Sequence, residues 1–239
     1  EFAGGFTIES VTGIKGDAWS HTINHTMMRV DLPQPLRAGE KVSFQIKWWY
    51  NINNYREIGG RSGYEYFAKD DNRLYVIAQF FPRLAVYNNV EGWQNMQFWG
   101  QGEFALEFGN YDVSITVPAD HIVEATGELV NRKHVFSKTQ LQRWEQALNS
   151  FDQPVLIVTP EEAAAAEKTK LKTTKTWRFK AENVRDFAFA YSRKFIMDAM
   201  AVKVGSKKPM AISLYPNEAN PLWERYSTRA VAKTLQFYS

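Results

Sequence analysis

The chain has 239 residues, 44% hydrophobic and 23% charged, with a formal net charge of +3. That is a globular composition with material for one large domain or two small ones, and the charge is too mild to point to nucleic acid. Cysteine is absent, which excludes disulfides, thiolate metal sites and cysteine nucleophiles but fixes no compartment. No apolar run approaches the roughly 18 residues of a membrane helix, so no membrane segment is expected. The opening EFAGGFTIES reads as mid-domain sequence and not as a signal peptide, leaving localisation open, with periplasmic or secreted locations both compatible. Aromatics reach 15%, more than a helical bundle needs, and suit pleated, half-buried surfaces.

Residues 6–50 read as strands. Phe6, Ile8 and Val11 sit in one polar-alternating run, and Met28, Val30 and Leu32 form another. Val42, Phe44, Ile46 and Trp48 alternate with Lys41, Ser43, Gln45 and Lys47, the period of two of a strand with one wet face. Residues 51–73 are rich in Asn, Gly and charge and predict a long loop or hairpin tip. Leu74 to Phe81 is short and apolar enough for a buried strand, ended by Pro82. Phe104, Leu106 and Phe108 alternate up to Gly109-Asn110, and Tyr111, Val113, Ile115 and Val117 alternate after it. This predicts a hairpin, because Gly-Asn tolerates the positive φ of a tight turn. Ile122 to Leu129 adds one more strand.

Two helices are expected next. Ser137 to Gln140 forms a capping-box pattern ahead of Leu141, Trp144 and Leu148 at helical spacing. Val155 to Val158 is a short strand. Thr159-Pro160-Glu161-Glu162 then supplies an N-cap, a first-turn proline and acids at the positive helix end, ahead of the run Ala163 to Ala166. Strands return with Trp177 and Phe179, with Phe187, Phe189 and Tyr191, and with Met200, Val202 and Val204. GSKKP at 205–209 reads as a domain boundary. Beyond it lie a strand, Ala211 to Tyr215, and a helix from Asn220-Pro221 with Trp223, Ala230, Val231, Leu235 and Tyr238 as its apolar stripe. The pattern predicts a mainly β chain of antiparallel sheets, saddle or sandwich-like, with two short helical insertions and a C-terminal helix beginning an incomplete α/β domain.

Catalytic signatures are missing. His21 and His25 have the i, i+4 spacing of a zinc helix, but Thr22 stands where the general-base Glu would be and the surroundings read as strand and turn. His121 and His134 are isolated. There is no G-x-S-x-G elbow. GGRSG at 59–63 and Gly100-Gln-Gly102 lack a phosphate-loop Lys-Ser/Thr, and read as turns. The acid-free stretch Lys168 to Lys180 fits the wet face of an outer strand better than a nucleic-acid patch, since its lysines discourage edge pairing. Trp48-Trp49-Tyr50 admits a sugar-stacking surface, although Trp49 points away from its neighbours.

The segment Gln79 to Leu129, the stretch Thr26 to Leu32 with Pro35-Leu36 and Gly39-Glu40 after it, and AENVRDFAFAYSRKF at 181–195 together resemble the N-terminal β-domain of aminopeptidase N-type zinc metallopeptidases. The resemblance implies residues 1–208 as that domain, short of its first strands, and 209–239 as the truncated start of the thermolysin-like catalytic domain. In the family, HExxH and GxMEN come later; neither is in this sequence. The implied role is a non-catalytic portion of an enzyme that cleaves N-terminal residues from peptides. This portion would take no cofactor, zinc being expected in the full-length enzyme, and the peptide substrate would be engaged together with the catalytic domain. The family's β-domain binds the substrate α-amine through a Gln followed two positions later by an acidic residue or Gln. On AQFFP this makes Gln79 and Phe81 the candidate substrate-binding residues, with Phe81 departing from the pattern. The alternative from the residues alone is a free-standing carbohydrate- or protein-binding β-sandwich.

Overall fold

The computed structural model describes residues 2–101 and 105–239. Strand accounts for 37% of the chain and helix for 20%, so the protein is mainly β, as expected. The chain opens with β1 (Thr7–Gly13), β2 (His21–Asn24), β3 (Met27–Val30) and β4 (Phe44–Trp49). There follow α1 (Tyr55–Ile58), β5 (Gly63–Phe67), β6 (Asn72–Ile77), β7 (Tyr87–Asn88) and β8 (Gly92–Trp93). Next come β9 (Gly109–Pro118), β10 (Ile122–Ala125) and β11 (Glu128–Leu129), then α2 (Arg132–Val135), α3 (Lys138–Ala147), β12 (Val155–Val158) and α4 (Pro160–Thr169). The chain closes with β13 (Thr174–Val184), β14 (Phe189–Ser192), β15 (Ile196–Ala201), β16 (Met210–Tyr215) and α5 (Leu222–Phe237).

The chain divides into two compact units, Glu1–Asn53 with Phe81–Phe108, and Asn54–Phe80 with Gly109–Ser239. The first unit is built of antiparallel pairs, β1 with β4, β2 with β3 and β7 with β8. The β2–β3 hairpin turns at His25, whose φ is +50°. Gln97 clips this turn, its Oε1 accepting from the Thr26 N–H at 2.9 Å and its Nε2 donating to the Asn24 carbonyl at 2.9 Å.

The second unit holds three antiparallel sheets, ordered β10-β14-β6-β5, β11-β13-β9 and β12-β15-β16. Along β9 the inward positions Tyr111, Val113, Ile115 and Val117 alternate with exposed polar residues, the expected period of two. Its partner is β13, paired from Thr174 against Pro118 to Ala181 against Tyr111, after which the register shifts so that Val184 faces Gly109. On β13, Trp177 and Phe179 are wholly buried. Trp177 meets the Phe136 ring edge-on at 5.6 Å, and Phe136 in turn reaches Trp144 of α3. This aromatic set is a core worth several kcal/mol, at about 25 cal/mol per Å² of apolar surface removed from water.

Several expectations are corrected. Gly109 and Asn110 lie inside β9 instead of turning a hairpin, and Asn110 Oδ1 accepts from the Asn183 N–H at 2.9 Å. The long-range pairing with β13 satisfies more backbone than a local turn would. Phe104 lies outside the described residues, and Leu106 and Phe108 are not in a strand. Residues 51–73 contain α1 and β5 instead of a plain loop, and β6 stops at Ile77, short of Phe81. Ile122 to Leu129 is two strands in two sheets, parted at Gly127. That glycine has φ +94°, and a Cβ on it would lie 2.2 Å from the Lys180 carbonyl oxygen, so only glycine fits. Strand β13 is the middle strand of its sheet, not an outer one.

Both expected helical insertions form with complete capping boxes, Ser137 with Gln140 and Thr159 with Glu162. Residues 205–209 form the turn that joins β15 to β16, which pair from Ala201 against Met210 to Ile196 against Tyr215. Helix α5 forms as expected but buries a different face. Thr228 and Ala232 are buried, with Leu235 packed beside them, whereas Trp223, Ala230, Val231 and Tyr238 are exposed. A small face fits closely against Met200, Val202 and Ala211, and the Thr228 hydroxyl is satisfied by donating to Asp198 Oδ1.

Candidate functional site

Strand β6 carries the chain from the core to Gln79. Its end is sealed by Ser62, whose Oγ donates to the Val76 carbonyl and accepts from the Ala78 N–H, both at 3.1 Å. Phe80 is pinned edge-on against Phe189 at 5.0 Å and against Phe187 at 6.5 Å. Between these two anchors Gln79 is exposed and takes φ +53°. For a residue with a Cβ that conformation costs roughly 1 kcal/mol, and strain of this kind gathers at functional positions. The Gln79 amide has no hydrogen-bond partner among the described residues, so both its carbonyl oxygen and its NH₂ are open to a ligand. Nothing in the local sequence announces the left-handed backbone; it follows from the two anchors on either side.

Phe81 belongs to the first unit. It is half-buried, and the Arg83 guanidinium lies 5.4 Å from its ring centre. An aromatic ring offers an ammonium only its π face, and here that ring already faces a cation.

The remaining sequence candidates separate. His21 sits on β2 with Nδ1 3.4 Å from the Trp19 carbonyl, His25 in the hairpin turn, His134 on α2. Among the described residues no group of three or more His, Cys, Asp or Glu could hold a metal ion. On β4, Trp48 is half-buried against Ile8 in register while Trp49 is exposed, the opposed facing expected of adjacent strand residues. In the basic stretch, Lys180 and Arg178 lie 3.5 and 3.9 Å from Asp112, and Lys175 donates to the Val135 carbonyl at 3.2 Å. Among the described residues no helix is long and apolar enough to cross a membrane.

Two charged clusters of the second unit escaped sequence reasoning because their members are remote in the chain. The Lys194 ammonium is fully buried and donates to Asp70, to Glu167 at 2.9 Å and to Glu218 at 2.9 Å. Burial alone would lower its pKa, but the three carboxylates outweigh burial and hold it above the ordinary lysine value. The ammonium thus ties the β5–β6 turn, α4 and the turn at Asn217–Ala219 to the start of β15. In the second cluster, Asp120 accepts at Oδ2 from the Leu171 N–H at 2.8 Å and the Thr169 hydroxyl at 2.9 Å. Its Oδ1 accepts from His121 Nδ1–H at 2.9 Å, and Arg193 Nε lies 3.2 Å from Oδ2. Burial pushes the Asp120 carboxyl up, and these donors more than reverse it. Burial, reinforced by Arg193, pushes the His121 imidazole below its usual value against the pull of Asp120, leaving the ring neutral at pH 7.

The fold resembles part of that of a solved M1 zinc metallopeptidase. That structure is a mutant M1 zinc metallopeptidase from Deinococcus radiodurans bound to a Tyr-Ser-Ala substrate, similar to this chain with a TM-score of 0.50 and 13% identity over 97% of this chain. The match covers 43% of that chain, so this sequence spans less than half of its neighbour's length. No protein-family model matches the sequence, and no curated protein matches it.

Proposed function

We propose that this chain is the β-rich, non-catalytic portion of a zinc-dependent aminopeptidase, and that Gln79 contacts the free α-amine of the peptide substrate. The observation that carries the reading is Gln79 itself. An exposed amide, held in a left-handed backbone between a sealed strand end and a half-buried Phe80, has its carbonyl oxygen free to accept from an ammonium. The likeness in fold to an M1 zinc metallopeptidase supports the setting. In this reading β16 and α5 open the catalytic domain of a longer polypeptide, whose own residues bind zinc. The role of the present residues is to scaffold that site and orient the substrate. Phe81 supplies an apolar ring where the family pattern has a second amine acceptor.

The test is hydrolysis of aminoacyl arylamide reporters with and without added zinc. The 239 residues alone are expected to release no arylamine, while a polypeptide continuing into the catalytic domain releases it and loses activity to a chelator. Metal-dependent release by the 239 residues alone would overturn the reading.

A further inference from the structure

One cleft of the second unit, with a volume of about 240 Å³, is lined by groups that the Gln79 reading leaves unused, among them Asp71, Arg73, Tyr75, His121, Tyr191 and Arg193. It lies on the face of the β10-β14-β6-β5 sheet. Register places Tyr191 beside Tyr75 and Tyr75 beside Tyr64, with Arg73 beside Tyr66 in the next row. The Tyr75 and Tyr191 rings are parallel, 4.3 Å between centres and 1° between planes. They therefore cover each other's faces and turn their edges outward.

Arg73 is the unusual member. Its guanidinium rests on the rings of Tyr66 at 4.9 Å and Tyr64 at 5.6 Å. It is exposed and has no carboxylate within ion-pair distance among the described residues. The nearby acids are already engaged. Asp71 takes Lys170 Nζ at 2.7 Å and the Tyr66 hydroxyl at 3.2 Å. Asp120 takes Arg193 with three further donors. Arg193 gives one hydrogen from each terminal nitrogen, to Asn72 at 3.1 Å and to Asp120 at 3.4 Å, while its Nε lies 3.2 Å from Asp120 without a hydrogen bond, so each terminal nitrogen keeps an N–H to give. The one acid in the lining, Asp71, is held by Lys170 and Tyr66, and the positive charge left without an ion pair in the cleft is that of Arg73.

We propose that this cleft binds an oxyanion, the carboxylate or phosphate group of a small ligand, with the Arg73 guanidinium as the main contact and the Tyr75 hydroxyl and Arg193 as supporting donors. A planar guanidinium fixed on two aromatic faces presents its N–H edge with little ordering cost, which suits bidentate recognition of such a group. The proposal stands apart from the Gln79 reading and does not depend on it.

The experiment is isothermal titration of the chain with sodium acetate and with inorganic phosphate at constant ionic strength, repeated on Arg73→Gln and Arg73→Lys. Saturable binding of one of these anions is expected, weakened at least about tenfold by Arg73→Gln and less by Arg73→Lys. The tighter anion identifies the group as carboxylate or phosphate. Tyr75→Phe removes a single hydroxyl, is expected to weaken the same anion severalfold, and keeps the test decisive if Arg73→Gln loses its fold. Absence of saturation with both anions, or equal affinity in the unaltered chain and the folded variants, overturns the proposal.

Discussion

Glu124, on β10, has a carboxyl whose hydrogen bond is from the adjacent Ala125 N–H at 3.2 Å. Burial pushes its pKa up to about 7, only partly offset by that bond and by Arg132. Arg132 itself lies over the Trp144 ring at 4.2 Å, a cation held by an aromatic face. A carboxyl whose folded pKa exceeds its unfolded value costs nothing when both states are protonated. Its penalty grows as pH rises from the unfolded value and is complete above the folded one. Stability is therefore expected to fall between about pH 4.5 and pH 7 on account of this group. Glu124→Gln should be near neutral at pH 4 and stabilising by up to about 3 kcal/mol at pH 8, read from urea unfolding at the two pH values. Asp70 and Asp120 act in the opposite sense. Their folded values are lowered, so the stability they contribute is present above the ordinary carboxylate range and is lost as pH falls through their folded pKa values.

Elements written by local rules were the most legible. Helix α4 begins where Thr159, Pro160 and Glu162 place it: Thr159 Oγ1 accepts from the Glu162 N–H at 3.2 Å, and the Thr159 N–H donates to Glu162 Oε2 at 2.9 Å. Thr159→Ala is expected to cost about 1 kcal/mol and Thr159→Ser little, checked by the urea midpoint at unchanged slope. Elements decided by distant partners were less legible. Gly109-Asn110 carries a strong turn signal, yet β13, some 65 residues on, pulls it into a strand. On α5 the large apolar residues promised the buried face, but tight packing against β15 and β16 selected Thr228 and Ala232. The candidate site divides the same way. Gln79 could be named from a short pattern, whereas its left-handed backbone comes from anchors on other strands. The Arg73 cleft draws on β6, β14 and the turn before β10, so no local motif marks it.

At the scale of the whole molecule, antiparallel sheets dominate and each unit carries its own set. The second unit has the denser aromatic and ionic core, built on Trp177, Phe179 and the buried Lys194. Gln79 leaves that core from a rigid base, which suits the contact with a substrate amine proposed for it. The most direct measurement is steady-state kinetics of the longer zinc-dependent polypeptide proposed to contain this chain, with Gln79 against Gln79→Ala, on an aminoacyl reporter. Loss of a hydrogen bond to a charged amine should lower kcat/KM by about ten- to a hundredfold, with the folding transition unmoved. Unchanged kcat/KM in a folded Gln79→Ala variant would contradict the account.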